Sequence, residues 1–203
     1  NKYYAEHKIR EGGLTSELVK ASYPLLNLLP KSRNGFFSNK IRQLHRFAEG
    51  AKMSPKERYW RWSSVMTERD AKSLFSDSFL QKIDFDSYKA RKADCTRFIT
   101  KPGSLNEVLL SDVNMVLPND MLYKGDMMSM ANGLEVREPF LDHRLVDFAF
   151  SLPVEFKIDQ TLKKKLVRDT FQNILPIELH TRPKKGFDVP LVKFYKKELR
   201  SLI

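Results

Sequence analysis

The sequence has little of what marks a secreted, zinc-binding or membrane-spanning protein. Its one cysteine among 203 residues, Cys95, allows no internal disulfide, and no paired-cysteine or clustered-histidine spacing predicts a metal site. The longest apolar runs, residues 23–29 and 145–152, are interrupted and far shorter than the roughly 20 residues of a membrane-spanning helix. Eight glycines and ten prolines are too few for a low-complexity chain. We expect a globular protein of the reducing cytoplasm, with no membrane segment.

Positive charge exceeds negative charge by 11, which raises the question of a nucleic-acid partner. The first 100 residues contain 20 Lys or Arg and 11 Asp or Glu, whereas the remaining residues contain 16 and 14. The excess is spread along predicted helices without the aromatic interleaving of single-strand binders. We therefore expect solvated helix faces and no nucleic acid. A basic helical module that binds an acidic partner or nucleic acid without chemistry stays open as the competing class.

Helix capping signals are the strongest local patterns. Ser54-Pro-Lys-Glu57 and Ser104-Leu-Asn-Glu107 both have the capping-box pattern at the start of a predicted helix. Pro118 is expected to end the second of these helices. A further helix is predicted over residues 119–133, with Gly133 as its C-terminal cap.

The remaining pattern is also helical, so the predicted fold class is mainly α. Met127, Met128 and Met130 recur at helical spacing, and we expect them to pack in a core rather than form a binding surface. Residues 154–158 are the one predicted strand. Other helices are predicted over residues 15–29, 38–50, 67–75, 85–98, 142–152, 161–175 and 194–203.

Residues 124–142 set many charges among apolar side chains, and such charges need partners or ligands. Lys124 and Asp126 fall near the start of a predicted helix. Glu135 and Arg137 are two positions apart in a segment expected to be extended, so their side chains should share a face. That face could hold a zwitterion, and a buried structural ion pair is an equal alternative.

A second charged stretch, residues 182–188, is a predicted loop framed by a proline and a glycine. Its three cations are Arg182, Lys184 and Lys185. A glycine lets backbone approach a ligand closely, so the loop suits a polyphosphate or a carboxylate. A solvated basic loop is the alternative.

Five segments, in their order and spacing, resemble the carboxyl-terminal half of glutamine-hydrolysing asparagine synthetases. Residues 55–62 are similar to that family's connecting helices, so the resemblance covers essentially the whole chain. The five segments are Leu117-Pro-Asn-Asp-Met-Leu122, Met128-Ser-Met-Ala131, Leu134-Glu-Val-Arg-Glu-Pro-Phe-Leu-Asp-His-Arg-Leu-Val146, Ser151-Leu-Pro153 and Arg182-Pro-Lys-Lys-Gly-Phe187.

The resemblance implies an enzyme with a glutaminase domain and a synthetase domain, which uses ATP and magnesium to activate aspartate as β-aspartyl-AMP before ammonia displaces AMP. The family's Ser-Gly-Gly-x-Asp-Ser pyrophosphate loop and its amino-terminal cysteine are absent from this sequence. Residues 1–203 are therefore expected to be the helical carboxyl-terminal part of an α/β synthetase domain whose parallel sheet lies upstream. This fragment should be inactive alone and bind no cofactor. The implied partners are aspartate, ATP, and glutamine or ammonia, and a homodimer is allowed.

The resemblance also implies roles for single residues. Lys184 matches the family lysine that contacts the leaving pyrophosphate and stabilises the adenylation transition state, while Lys185 either assists or is solvated. Lys124 falls where the family places a cation near aspartate and its adenylate, with Asp126 in the same motif. Glu135 and Arg137 match the family's Glu-x-Arg, for which a structural role and a ligand contact both stay open. No metal ligand is assigned.

One departure from the family concerns Glu138, which stands where the family usually has an apolar residue. This difference leaves the identity of the acceptor carboxylate open. Related enzymes of the same synthetase fold, the β-lactam synthetases and the cyclases of peptide antibiotics, adenylate other carboxylates and are the alternative.

Overall fold

A computed structural model describes residues 2–32, 35–100, 104–158, 164–181 and 191–202. The described residues form helices and turns, with no β-strand beyond a single bridge residue at Ile158. This confirms the mainly α prediction. The chain divides into two compact units, Asn1–Lys163 and Lys164–Ile203.

The first unit contains the longer helices and most of the capping signals. Within its described residues the α-helices are α1 (Lys2–Glu11), α2 (Leu14–Ala21), α3 (Tyr23–Leu28), α4 (Phe36–Ala51), α5 (Pro55–Ser63), α6 (Glu68–Lys72), α7 (Asp77–Leu80), α8 (Phe85–Cys95), α9 (Leu105–Asn114), α10 (Tyr123–Met130) and α11 (His143–Ser151). A π-helical turn spans Leu117–Leu122, and 3₁₀ turns span Pro139–Leu141 and Val154–Phe156.

The second unit is described more sparsely. Its α-helices are α12 (Lys165–Phe171), α13 (Ile177–Thr181) and α14 (Leu191–Lys196), followed by a 3₁₀ turn over Arg200–Leu202. The helix predicted over 161–175 is present as α12, but its predicted start lies outside the described residues. The helix predicted over 194–203 is interrupted, because α14 ends at Lys196 and a turn follows.

Two small apolar clusters hold the first unit together. α2 and α3 pack against α4, and the buried members of that cluster are Leu26, Ile41 and Ala48. α1 packs against α9, close to a second cluster whose buried members are Tyr59, Ile99, Leu105, Val108 and Ile158. Both clusters lie before or at Ile158, and none of their buried members comes from α10 or α11.

The two predicted capping boxes differ in the structure. At α5 the box is complete, since the Ser54 hydroxyl accepts from the Glu57 N–H and the Glu57 carboxylate accepts from the Ser54 N–H. At α9 the Ser104 side chain makes no capping bond. The Glu107 carboxylate accepts instead from the Thr100 N–H at 2.8 Å. The second capping-box prediction is therefore wrong, because a tertiary partner takes the glutamate.

Residues 154–158 were predicted as a strand, and this prediction is wrong. Pro153 is followed by a 3₁₀ turn in which the Val154 carbonyl accepts from the Lys157 and Ile158 N–H groups. The turn is hydrogen-bonded to α9, since Lys157 Nζ donates to Asn106 Oδ1 at 2.5 Å. The local bonds satisfy the Lys157 and Ile158 N–H groups, which in a strand would pair with a neighbouring strand or with water.

Candidate functional site

The path from α9 to α10 contains only a short turn, despite Pro118. α9 ends at Asn114, Met115 lies in a turn with φ −117° and ψ −60°, Val116 has helical angles, and the π-helical turn then runs directly into α10. Pro118 lacks an N–H and cannot make the normal i to i−4 bond, but the wider turn accommodates it. The Asn119 side chain donates to the Met115 carbonyl at 2.7 Å. The prediction that α9 ends before Pro118 and that a further helix follows is confirmed, although helical backbone resumes sooner than expected, in the π-helical turn.

Lys124 and Asp126 lie in the first turn of α10, as predicted. Both side chains are exposed. Lys124 Nζ donates to Asp120 Oδ1 at 3.0 Å, one helical turn earlier, and this pair is open to water. Two positions on a helix are about 200° apart, so Lys124 and Asp126 point away from each other. Lys124 therefore presents a solvated cation whose partner an anionic ligand can displace.

A Schellman motif ends α10 and sets the direction of the next segment. The Leu134 N–H donates to the Ser129 carbonyl and the Gly133 N–H donates to the Met130 carbonyl, both at 3.0 Å. Gly133 has φ +67°, a left-handed conformation that glycine adopts without strain. The predicted glycine cap is confirmed.

Glu135 and Arg137 do share a face in the segment after this motif, as predicted. Arg137 Nη2 lies 2.5 Å from Glu135 Oε1, and the two side chains are 85% and 69% exposed. The alternative of a buried structural ion pair is therefore wrong, because water surrounds both groups. An exposed pair contributes only about 0–1 kcal/mol to stability, so Arg137 can exchange this partner for a ligand carboxylate at low cost.

The apolar residues of this region are also exposed. Met127, Met128 and Met130, which we expected in a core, are 47%, 63% and 55% exposed. The main packing of α10 is against the π-helical turn that precedes it. The core prediction for these three residues is wrong within the described chain.

Lys184 and Lys185 lie outside the described residues, as does the whole of the predicted loop over residues 182–188. Of the six predicted site residues, the structure thus places four. It brings Glu135 together with Arg137, and it separates the side chains of Lys124 and Asp126.

A buried polar cluster surrounds Asp112 in the last turn of α9, and no sequence signal predicted it. Asp112 Oδ1 accepts from Lys2 Nζ at 2.6 Å and from the Tyr59 hydroxyl at 2.8 Å. Its Oδ2 accepts from the Tyr3 hydroxyl. Burial and the Asp112 carboxylate raise the pKa of both tyrosines above the usual phenol value. We call Lys2, Tyr3, Tyr59 and Asp112 the Asp112 anchor.

The chemistry of the exposed cations suits anionic groups. Lys124 and Arg137 offer N–H donors of the kind that bind carboxylate or phosphate oxygens, which fits part of an ATP or amino-acid site. No three His, Cys, Asp or Glu side chains lie together as potential metal ligands in the described ranges. Likewise, no described helix is long and apolar enough to cross a membrane.

Comparison with known proteins gives partial but consistent matches. The chain is 35% identical over 101 residues to asparagine synthetase [glutamine-hydrolyzing] 1 of Bacillus subtilis, covering 50% of this chain and 16% of that protein. It is 45% identical over 67 residues to the asparagine synthetase [glutamine-hydrolyzing] of Cricetulus griseus, covering 32% of this chain and 12% of that protein. The matched parts thus span less than one fifth of each relative. No solved structure gives a significant match.

The family-level match is far more extensive than these local alignments. The family model described as asparagine synthase covers residues 5–203, which takes in both units and all four described site residues. This chain belongs to the asparagine synthase family.

Proposed function

We propose that this chain is the helical carboxyl-terminal part of the synthetase domain of an enzyme that converts aspartate to asparagine with ATP. The observation that carries this proposal is the family match over residues 5–203. The exposed positions of Lys124 and Arg137 support it, since both cations are accessible to a ligand. The single cysteine agrees with a reducing cytoplasm as the setting.

The proposed reaction has two steps. A β-carboxylate oxygen of aspartate attacks the α-phosphorus of ATP, so that pyrophosphate leaves and β-aspartyl-AMP forms. Ammonia, released from glutamine, then attacks the acyl carbon, and AMP leaves with the bonding electrons. ATP enters with magnesium, which neutralises phosphate charge when bound.

The residues of this chain act by positioning and electrostatics. Lys184 donates to the leaving pyrophosphate, where negative charge grows as the phosphoryl bond breaks, and Lys185 assists from the same loop. A cation aimed at that charge stabilises the transition state more than the ground state. Lys124 and Arg137 bind the carboxylates of aspartate. The carboxylates of Asp126 and Glu135 offset part of the positive charge of Lys124 and Arg137.

The test uses the full-length protein that contains this chain. Aspartate-dependent exchange of labelled pyrophosphate into ATP reports the first step alone. We expect Lys184→Ala to lower the exchange rate about 100-fold or more, with glutamine hydrolysis retained. Lys89→Ala is the matched control, because Lys89 is an exposed lysine that pairs with Asp86, three positions earlier.

The outcomes separate the alternatives. Exchange that persists in Lys184→Ala removes this lysine from the site. Exchange driven by another carboxylate instead of aspartate supports the β-lactam synthetase or peptide cyclase type, which Glu138 leaves open. No exchange with any acid in a folded protein supports the basic binding module. The isolated 203 residues should form no asparagine, because Lys184 alone cannot position a triphosphate and its metal ion.

A further inference from the structure

We propose that Asp112 is a positioning residue for the substrate site on α10, and that it acts by fixing α9 through the Asp112 anchor. The inference rests on the proposed function, because the substrate site is the one assigned to Lys124. Asp112 itself touches no substrate group in this scheme. It acts through the rigid backbone that joins it to Lys124.

The anchor holds α9 from two sides. Lys2 and Tyr3 belong to α1, and Tyr59 belongs to α5, so donors from two helices converge on one carboxylate. Asp112 is only 6% exposed. Lys2 Nζ also lies 4.8 Å from the centre of the Tyr59 ring, which adds a cation–π contact inside the cluster.

The choice of a carboxylate here is informative about its role. Removing a charge from water is unfavourable, and an apolar side chain of similar size often stabilises a buried position as well or better. Hydrogen bonds differ from apolar contacts in being directional. Three donors in fixed directions restrict both the translation of α9 along its axis and its rotation about that axis. Apolar packing alone restricts these movements less.

The orientation of α9 passes directly to α10. Asp112 lies in the last turn of α9, and Lys124 lies twelve positions later. Of the linking residues, Val116 and Leu122 have helical angles, and Met115, in the turn that ends α9, has φ −117° and ψ −60°. No loop separates the two positions, which are about 18 Å apart if the whole path has α-helical rise. A shift of α9 therefore moves Lys124.

The predicted consequence is selective. If the anchor loosens, the ammonium group of Lys124 is less well placed for the substrate carboxylate, so KM for aspartate should rise. Binding of ATP depends on the loop that carries Lys184, which is separate in sequence from α9 and α10, so KM for ATP should stay nearly constant. A general loss of folded protein would instead lower the apparent kcat and leave both KM values unchanged.

Tyr59→Phe in the full-length protein is the first test, because it removes one hydroxyl and keeps the ring. We expect KM for aspartate in pyrophosphate exchange to rise about fivefold, as for loss of one hydrogen bond, with KM for ATP within about twofold. Tyr88→Phe is the matched control. The Tyr88 hydroxyl accepts from Trp60 Nε1 and donates to Glu68, so Tyr88→Phe likewise removes a hydrogen-bonded hydroxyl and keeps the ring. Tyr88 is not part of the Asp112 anchor.

A double-mutant cycle then tests whether the effect passes through Lys124. In a Lys124→Ala background, Tyr59→Phe should change KM for aspartate by less than about twofold, since the positioned group is gone. Equal effects of Tyr59→Phe with and without Lys124 overturn the proposal. So does a Tyr59→Phe protein with both KM values unchanged.

The failure of the proposed function is distinguishable from the failure of this inference. If the wild-type protein shows no aspartate-dependent exchange, the function is wrong. The anchor is then judged by amide hydrogen exchange over residues 117–130. Faster exchange in Tyr59→Phe than in Tyr88→Phe supports the positioning of α10, and identical exchange overturns it.

Discussion

The Asp112 anchor and the segment from α10 to α11 belong to the same unit, but their charged side chains differ in burial and in the sequence distance to their partners. In the anchor Asp112 is buried, as are Glu6 and Arg58 nearby, and each of these charged groups is bonded to a side chain distant in sequence. From the π-helical turn to α11, the charged pairs join residues close in sequence and are largely open to water. Solvated pairs of this kind contribute little to stability.

Charged residues thus have different surroundings in the two regions. Buried charges such as Asp112 fix the geometry of helices, whereas exposed charges such as Arg137 are accessible to ligands. Paired substitutions, one in each region, measure the contrast directly.

The largest effect is expected for Arg58→Ala. Arg58 donates to Glu6 at 2.6 and 2.8 Å, and its loss leaves Glu6 with Arg10 as its remaining cation. We expect a loss of about 3–5 kcal/mol in unfolding free energy, against less than about 0.5 kcal/mol for Arg137→Ala. Urea unfolding followed by the fluorescence of Trp60 and Trp62 measures both. Equal losses would erase the distinction between the two regions.

Apolar residues should show the same contrast. Ile99 is fully buried, whereas Met128 is mostly exposed. Ile99→Ala should lower the unfolding free energy by about 2–4 kcal/mol, because it leaves a cavity. Met128→Ala should change it by less than about 0.5 kcal/mol. A loss above 1 kcal/mol for Met128→Ala in the same urea experiment would show that Met128 is covered in solution.

Alanine substitutions at two helical glycines should change stability in opposite directions. A Cβ on Gly50 would lie 2.4 Å from Trp62 Cζ2, so Gly50→Ala should destabilise the protein by about 1–3 kcal/mol. Gly125 in α10 has open space around it, and Gly125→Ala should stabilise by about 0.5–1 kcal/mol through helix propensity. Thermal unfolding gives both signs. Destabilisation by Gly125→Ala would mean that α10 is closely approached by another part of the protein.

The smallest effect concerns the two serine caps. Ser54→Ala removes a capping bond and should cost about 1 kcal/mol. Ser104→Ala removes no side-chain cap and should stay within about 0.5 kcal/mol. The comparison uses urea midpoints measured side by side. A larger loss at Ser104 than at Ser54 would contradict the assignment of Glu107 to Thr100.

Local signals predicted much of the fold correctly. The capping box at Ser54, the helix over 38–50 and the Gly133 cap all depend on residues close in sequence, and the structure confirms them. α1 was not predicted. Its Glu6 is buried against Arg58, 52 positions away, and such a partner leaves no trace in local periodicity.

The candidate site was predictable in part for the same reason. The shared face of Glu135 and Arg137 follows from strand-like spacing, and the structure confirms it. The exposure of that pair was not predictable, because burial depends on which helices surround a segment. The i, i+4 spacing of Asp120 and Lys124 could have revealed that pair. Nothing local could have identified Asp112, whose donors are 53, 109 and 110 positions away.

The Asp112 anchor also gives the protein an optical signature. An ordinary tyrosine loses its phenolic proton near pH 10, and its ultraviolet absorption then changes. The raised pKa of Tyr3 and Tyr59 means that the folded state holds both protons more tightly than the unfolded state does. Their stabilising contribution is therefore complete below about pH 10 and is lost as the pH rises further. In an alkaline titration, the phenolate absorption of these two rings should appear above about pH 10 and together with unfolding.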